Sequence, residues 1–522
     1  MITRSDSHEA STRSITAIVG VAAVIFVSKL LGLGREMVVA DKFGTSAEYD
    51  LYLIAVMLPA LAYGVINFAS YYLLVPHLTR LIEKEQQSNA WRSIWGLFNR
   101  SLLLSLAIAV LIILSAPHLM RIWAGQHLAD EFARIVLFSR LTAIMVVLGT
   151  SEAYLRALLN TRKIFTWPAG GYIVENALFI LSVLLLYPSF GVGAIVVGLL
   201  GGMVGQNIFL LARLIPSGSL RAYRLSLASE HMQGMVSTIT LLILIELLNR
   251  SYFLFDRYVA TDFGVGIISS LNYSQVLVQL PDAVVGFAIA SVVFPKFSQA
   301  DLTKENNGFA GLYRNAIVGG MLFTIPLAVF FLVNASDLVQ VIFLRGRFDA
   351  TSLELTASLL RPYTPTIVAL FVISTSLRAA YGQGWVKEVF WLALFALVTK
   401  ASTTFLLPHY VGHPGITTAT SLSQLLFAAG LVLLCVRRAR LQHASQFFWT
   451  IGKLLLAGGI SILVGYVISG ALATAILGTT LGAALARLAI SGLTILAAFL
   501  GAALMLGFGS YFALLFRRKY GS

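Results

Sequence analysis

SITAIVGVAAVIFVSKLLGLGRE, residues Ser14–Glu36, decides the fold class. No charge appears in it before Lys29, and Arg35 and Glu36 close it. A helix needs about 20 mostly apolar residues to cross ~30 Å of hydrocarbon, and this run supplies them. A signal peptide would be shorter, would end in a small-residue cleavage site and would lead into a soluble domain. This run leads instead into more runs of its own kind. Over all 522 residues the chain is 58% apolar and 11% charged, with mean hydropathy +0.85. Soluble domains are about 45–50% apolar and roughly 25% charged. A soluble enzyme, a disordered chain and a collagen-like fibre are therefore excluded. An outer-membrane barrel would alternate apolar and polar residues and keep the mean lower. The expectation is an all-α polytopic membrane protein.

Fourteen spans can be read at this length: 14–42, 49–79, 96–117, 131–158, 165–187, 190–215, 232–260, 266–295, 311–335, 352–381, 385–408, 413–437, 449–475 and 484–516. The net charge of +14 fits the lysine and arginine excess of cytoplasmic loops, not a nucleic-acid surface. One set of connections is basic: Arg80, Lys84 and Arg92; Arg156, Arg162 and Lys163; Arg213, Arg221 and Arg224; Lys296, Lys304 and Arg314; Arg378 and Lys387; Arg437, Arg438 and Arg440. The tail adds Arg517, Arg518 and Lys519. The alternate connections hold little beyond Lys42, Arg121, Arg345 and Arg347. All basic loops then fall on one side, which places both termini in the cytoplasm.

The chain matches itself at an offset of 222 residues. Leu58-Pro59 with Gly64 recurs as Leu280-Pro281 with Gly286, and Leu155-Arg156-Ala157 recurs as Leu377-Arg378-Ala379. Arg35 falls on Arg257, Gly193 on Gly415 and Asp50 on Asn272. Six spans per unit is an even number, so both units enter the membrane from the same side, as parallel repeats. The expected organisation is a cytoplasmic segment 1–13, a six-helix lobe 14–224, a second six-helix lobe 225–440, and two further spans with a basic tail in 441–522. Two such lobes facing each other would form a cleft.

Ionisable residues inside spans are costly, about 2.5–3.5 kcal/mol each at helix centre, so they mark pathways or pairs. The candidates are Lys29, Arg35, Glu36, Asp41, Asp50, Arg140 and Glu175 in the first half. Glu246, Arg250, Asp256, Arg257, Asp282, Arg361 and Lys400 follow in the second. Lys29 and Arg35 flank Gly32-Leu33-Gly34, which suggests a bent or broken helix. Arg257 repeats Arg35, and Arg361 repeats Arg140 at an offset of 221. Basic groups in both halves suit an anionic substrate, because guanidinium groups bind phosphate oxygens in a bidentate fork.

Other patterns carry less. Gly198, Gly201, Gly202 and Gly205 read as helix packing. His409 and His413 have ligand spacing but no third ligand, so no metal is expected. Cys435 stands alone, which excludes a disulfide within the chain. There is no phosphate-binding P-loop and no recognisable nucleophile–base pair, so no cofactor and no catalysis are expected.

Ser28-Lys29-Leu30-Leu31-Gly32, Arg35-Glu36, Phe43-Gly44, Asp50 and Leu58-Pro59 together resemble the opening of the MurJ/MviN family. Val75-Pro76, Asp256-Arg257, Asn272-Tyr273, Leu280-Pro281, Phe294-Pro295 and Gly346-Arg347-Phe348 extend the resemblance over about residues 15–440. It implies a fourteen-helix exporter-superfamily fold in the bacterial inner membrane, with a cationic cavity. It also implies movement of lipid II, the undecaprenyl-diphosphate-linked peptidoglycan precursor. The family's first-span arginines look like Lys29 and Arg35 here, and its second-span acid like Asp50. The chain departs at Ala62-Tyr63-Gly64 and at Val276, where family members often carry arginine. A related polyprenyl-linked saccharide for an exported polysaccharide is therefore a second candidate substrate.

The reading is a flippase, not an enzyme, with Lys29, Arg35, Asp50, Arg140, Arg257 and Arg361 as substrate-binding residues. Its partners would be the lipid-linked saccharide, membrane lipids and a possible coupling ion, with the chain acting as a monomer. The alternative is an ion-coupled multidrug exporter of the same superfamily, which would set carboxylates such as Glu175, Glu246 and Asp282 in the cleft. A membrane polymerase or glycosyltransferase would need larger loops. A major-facilitator carrier would need a Gly-Arg-rich loop where residues 80–95 read RLIEKEQQSNAWRSIW.

Overall fold

A computed structural model describes residues 4–69, 78–79, 87–123, 130–215, 236–281, 308–476, 478 and 480–509. Among the described residues there is no strand. The chain forms two compact units, Met1–Thr261 and Asp262–Ser522. Arg80, Lys84, Val75-Pro76, Arg221, Arg224, Asp282, Gly286, Phe294-Pro295, Lys296, Lys304 and the tail Arg517, Arg518 and Lys519 lie outside the described residues. So does the expected lobe boundary at 224/225.

The first unit contains α1 (Arg4–Phe43), α2 (Ala47–Ala55), α3 (Met57–Ala69), α4 (Gln87–Trp123) and α5 (Phe132–Thr142). It continues with α6 (Ile144–Thr161), α7 (Thr166–Phe190), α8 (Gly193–Leu214), α9 (Val236–Arg250) and α10 (Tyr252–Ala260). The second unit contains α11 (Phe309–Val333), α12 (Ala335–Phe343), α13 (Ala350–Tyr363) and α14 (Pro365–Gly382). It ends with α15 (Val386–Leu406), α16 (Pro414–Arg438), α17 (Ala444–Ala475) and α18 (Leu481–Met505).

Ten helical stretches among the described residues are long and apolar enough to cross a membrane. They correspond to the third to sixth and ninth to fourteenth expected spans. The expected first, second, seventh and eighth are not among these ten, although α2 and α3 taken together are long and apolar enough to form one more. The second is a pair, α2 and α3, bent by 47°. Pro59, the third residue of α3, cannot donate to the carbonyl of Ala55, so the ladder breaks just before it. The seventh is divided into α9 and α10 at Ser251. Of the eighth, residues 267–281 are helical and the rest lies outside the described residues.

The first span differs from expectation in two ways. The helix begins at Arg4, not at residue 14, and it runs unbroken through Gly32 and Gly34 to Phe43. A glycine inside a helix costs only about 1 kcal/mol, which the surrounding hydrogen bonds and packing outweigh. Gly32 instead brings α1 close to α7, where a Cβ would lie 4.0 Å from Asn176 Nδ2. The α7–α8 seam is tighter still. Gly198 faces the Phe179 carbonyl, Gly202 faces Glu175 and Gly205 faces Leu178, whereas Gly201 points into open space. Small residues let two backbones approach, which is their use between membrane helices.

The sequence repeat has a structural counterpart. Arg140 sits in the last turn of α5 and Arg361 in the last turn of α13. Each short helix then breaks into one of 18 residues, α6 or α14. Those second helices carry Leu155-Arg156-Ala157 and Leu377-Arg378-Ala379. In the second unit the two added helices are bolted on by Arg487 of α18. It grips Asp337 of α12 through Nη2 at 2.6 Å and Nε at 3.1 Å, and reaches the Ile476 and Gly478 carbonyls past the end of α17. Lys400 of α15 is fully buried and donates to Thr420 Oγ1 of α16 at 2.5 Å.

Candidate functional site

The break between α2 and α3 builds the site. The last carbonyls of a helix have no partner within it. Leu53 O is one of these in α2, and Arg257 of α10 donates Nη1 to it at 2.5 Å. The Arg257 guanidinium also lies 5.2 Å from the Phe253 ring and feels the charges of Asp256 and Asp50. Across α2, Arg35 of α1 donates Nε and Nη2 to Glu36 Oε1 at 3.2 and 3.1 Å. Its guanidinium stacks 4.6 Å from the centre of the Phe179 ring. Tyr49 donates its hydroxyl to Glu36 Oε2 at 3.4 Å and stacks on Tyr52, ring centres 6.1 Å apart. Tyr52 lies within the fields of Arg35, Glu36 and Arg257 together. Two guanidinium groups thus flank one tyrosine platform.

Three of the six expected residues meet here: Arg35, Asp50 and Arg257. Asp50 is fully buried in the first turn of α2 and acts on the cluster through its field. Lys29 is exposed on α1, six residues before Arg35. Arg140 and Arg361 are also exposed, and each bonds within its own unit. Arg140 donates to Ile113 O of α4 at 3.2 Å, and Arg361 donates to Ser336 Oγ of α12 at 2.8 Å.

A further cation reaches α3 from α9. Arg250 pairs with Glu246 at 2.5 Å and lies over Gly64 of α3, where a Cβ would come within 2.6 Å of its guanidinium carbon. This is the stretch, Ala62-Tyr63-Gly64, from which an arginine is missing in sequence. The bare backbone of Gly64 makes room for one from another helix.

A buried polar network adjoins the cluster. Arg156 of α6 is not a loop residue, as its place among the basic connections suggested. Its guanidinium pairs with Glu152 Oε1 at 3.3 Å, one turn earlier, and donates to Tyr172 of α7 and Asn67 of α3. Glu152 has no exposed surface and also accepts from Asn67 Nδ2 at 3.5 Å and Gln206 Nε2 of α8 at 3.4 Å. The signal was available: a carboxylate and an arginine four residues apart share one helix face. Neutralised by Glu152, the arginine needs no aqueous loop.

Fold and site together define a class: an all-helical, multi-pass membrane protein with basic side chains gathered inside its first helical unit. The family model described as "Lipid II flippase MurJ" matches residues 39–485. The probable lipid II flippase MurJ of Vibrio cholerae is 26% identical over 475 residues, covering 86% of this chain and 88% of that protein. The lipid II flippase MurJ of Burkholderia cenocepacia is 23% identical over 467 residues, covering 85% and 89%. A solved structure of lipid II flippase MurJ in an inward closed conformation matches with TM-score 0.75 at 19% identity, covering 93% of this chain and 98% of that one. An inward-facing multidrug transporter of the MATE family in the MOP superfamily matches with TM-score 0.64 at 15% identity, covering 81% and 98%. This chain belongs to the MurJ family.

Proposed function

We propose that the chain moves a polyprenyl-diphosphate-linked saccharide, lipid II or a close relative, across the bacterial inner membrane. The observation that carries this reading is the pair of guanidinium groups around Tyr52, in a chain of this family. Arg35 keeps Nη1, and Arg257 keeps Nε and Nη2, without a hydrogen-bond partner among the described residues. Those N–H groups are free to take diphosphate oxygens, and the planar fork fits them. Arg250 and Lys29 add charge nearby, and Asp50 restrains the cluster between loads. Arg140 and Arg361 line the path further along.

The physical task is to carry a charged, hydrated headgroup through ~30 Å of hydrocarbon while the prenyl tail stays in lipid. Two six-helix lobes that open alternately to either side accomplish it, and no covalent bond is made or broken. Membrane potential supplies about 2.3 kcal/mol per charge per 100 mV for the movement. Both termini face the cytoplasm in this reading, as the basic connections require.

The deciding experiment is rescue of cells depleted of their lipid II flippase. Rescue, lost on Arg35→Ala, is the expected result. A protein that is expressed and inserted yet fails to rescue moves the substrate to the precursor of an exported polysaccharide. Export of cationic drugs without rescue would replace the reading with the multidrug alternative.

A further inference from the structure

Around Glu175 of α7 two acid–base pairs are already closed, which leaves this carboxylate over. Arg35 is taken by Glu36, and Arg156 by Glu152. Glu175 of α7, part-buried, makes no hydrogen bond or ion pair among the described residues. Three helices bring titratable groups around it. Helix α1 presents Arg35 and its partner Glu36, α6 presents Glu152 and Arg156, and Tyr63 of α3 and Tyr172 of α7 complete the titratable groups. Arg35, Glu152 and Arg156 act on Glu175 through their fields alone.

A second, independent deficit lies one turn away. The Cγ of Glu175 packs on Gly202 of α8, where a Cβ would lie 3.2 Å from it. Gly171 of α7 packs in turn on Gln206, with a Cβ there 3.1 Å from Gln206 Cγ. Glu175 and Gln206 therefore occupy successive turns of one glycine-lined seam. Gln206 is 1% exposed and donates its Nε2 to Glu152, but its Oε1 is buried with no hydrogen-bond partner. Buried acceptors are almost always satisfied. An unpaired carboxylate between membrane helices is equally unusual. One deficit is of positive charge and the other of a donor, and a cation bound between two oxygens meets both.

We propose that the first unit binds one small monovalent cation, a proton or a sodium ion, at Glu175, with the Gln206 amide oxygen and the Glu152 carboxylate beside it. Glu152, Glu175 and Arg156 together carry one net negative charge, which a monovalent cation cancels and a divalent one overshoots. The site also acts on the cationic cluster through its field. Cancelling Glu175 removes an anion from the surroundings of Arg35, so an anionic headgroup binds Arg35 more tightly when the cation is present. By linkage, the headgroup then tightens the cation equally. That last step rests on the flippase reading; the cation site does not.

The test therefore uses the full chain in phosphatidylcholine nanodiscs with no lipid-linked substrate. Infrared difference spectra between acid and alkaline pH report carboxyl protonation, and calorimetry with sodium chloride against choline chloride reports sodium. The wild type is expected to show a titrating carboxyl band, a saturable sodium heat, or both. Glu175→Gln, which keeps the side chain's shape, should lose the signal, and Glu175→Asp should weaken it. A Glu388→Gln control, in an exposed pair of the second unit, should keep it. A band unaffected by sodium identifies the proton; a sodium heat that suppresses the band identifies sodium. Signals that survive Glu175→Gln, or their absence from folded wild type, overturn the proposal whether or not the chain rescues flipping.

Discussion

Replacing Arg156 by alanine should destabilise the first unit severely, and a second substitution should reverse much of the loss. Arg156 joins three helices by bonding Glu152 on its own α6, Tyr172 on α7 and Asn67 on α3. Glu152 is wholly buried, so truncating Arg156 leaves an uncompensated charge there. Breaking one side of a buried ion pair costs about 3–5 kcal/mol. A unit of this size loses about 2–4 °C of melting temperature per kcal/mol, so the expected fall is on the order of 10 °C. Adding Glu152→Gln removes the orphan charge while keeping an acceptor for Asn67. The double variant should then recover at least half of the loss. Detergent-solubilised protein, heated and followed by fluorescence-detected gel filtration, measures both. A single variant that melts within about 2 °C of wild type would refute the reasoning. So would a double variant as unstable as the single, because the damage would then come from lost packing and not from stranded charge.

Arg35→Ala should abolish rescue while the protein still folds, since Glu36 keeps its bond from the Tyr49 hydroxyl, and Arg35→Lys should keep part of the activity because it retains charge without the fork; rescue by the alanine variant removes Arg35 from the mechanism. Gly64→Val pushes the Arg250 guanidinium off α3 and should cut transport about tenfold, the effect of ~1.4 kcal/mol, and a variant as active as wild type rejects that role. Asp349 caps α13 by accepting from the Ser352 N–H at 2.8 Å, which holds its carboxyl below the usual range. Its folded-state value being depressed, the cap stabilises above the unfolded value and is lost as pH falls through the folded one. Asp349→Ala should therefore cost about 1 kcal/mol at neutral pH and nothing in strong acid, read from melting curves against pH. Topology reporters fused after Arg440 should read cytoplasmic and near Arg347 external; the opposite pattern breaks the proposed orientation.

The ten helices that pass a test of length and apolarity were legible because lipid demands continuous apolar runs. The four expected spans outside that set are the ones carrying the repeat's charges and prolines: the span of Arg35, the broken pair at Pro59, the span of Arg257, and its successor. Their existence was readable from the repeat, but their breaks were not placed correctly. Gly32 and Gly34 suggested a break in α1 that the helix does not have, whereas Pro59 made one in α2 and α3. Arg35 and Arg257 were found because a charge inside an apolar run is conspicuous. Arg156 was misplaced because an arginine near a span end was read as an aqueous one, and Glu152 was overlooked four residues before it. The approach of Arg250 to Gly64 joins residues 186 apart, and no local pattern announces it.

The difference between the two guanidinium groups of the site has a consequence for biogenesis. Arg35 and Glu36 are neighbours in one helix, so the first span enters the membrane with its charge already neutralised and needs no other helix to shelter it. Arg257 has Asp256 beside it, but its hydrogen bond goes elsewhere. The carbonyl it bonds belongs to Leu53, 204 residues earlier, at a break in a helix that the ribosome has long since delivered. The acceptor is in the bilayer before the donor is synthesised. Release of α10 into lipid by itself would leave the Arg257 guanidinium without this acceptor, so the helix is best handed directly onto the waiting end of α2, and the late arrival of Arg257 becomes the step that closes the first unit.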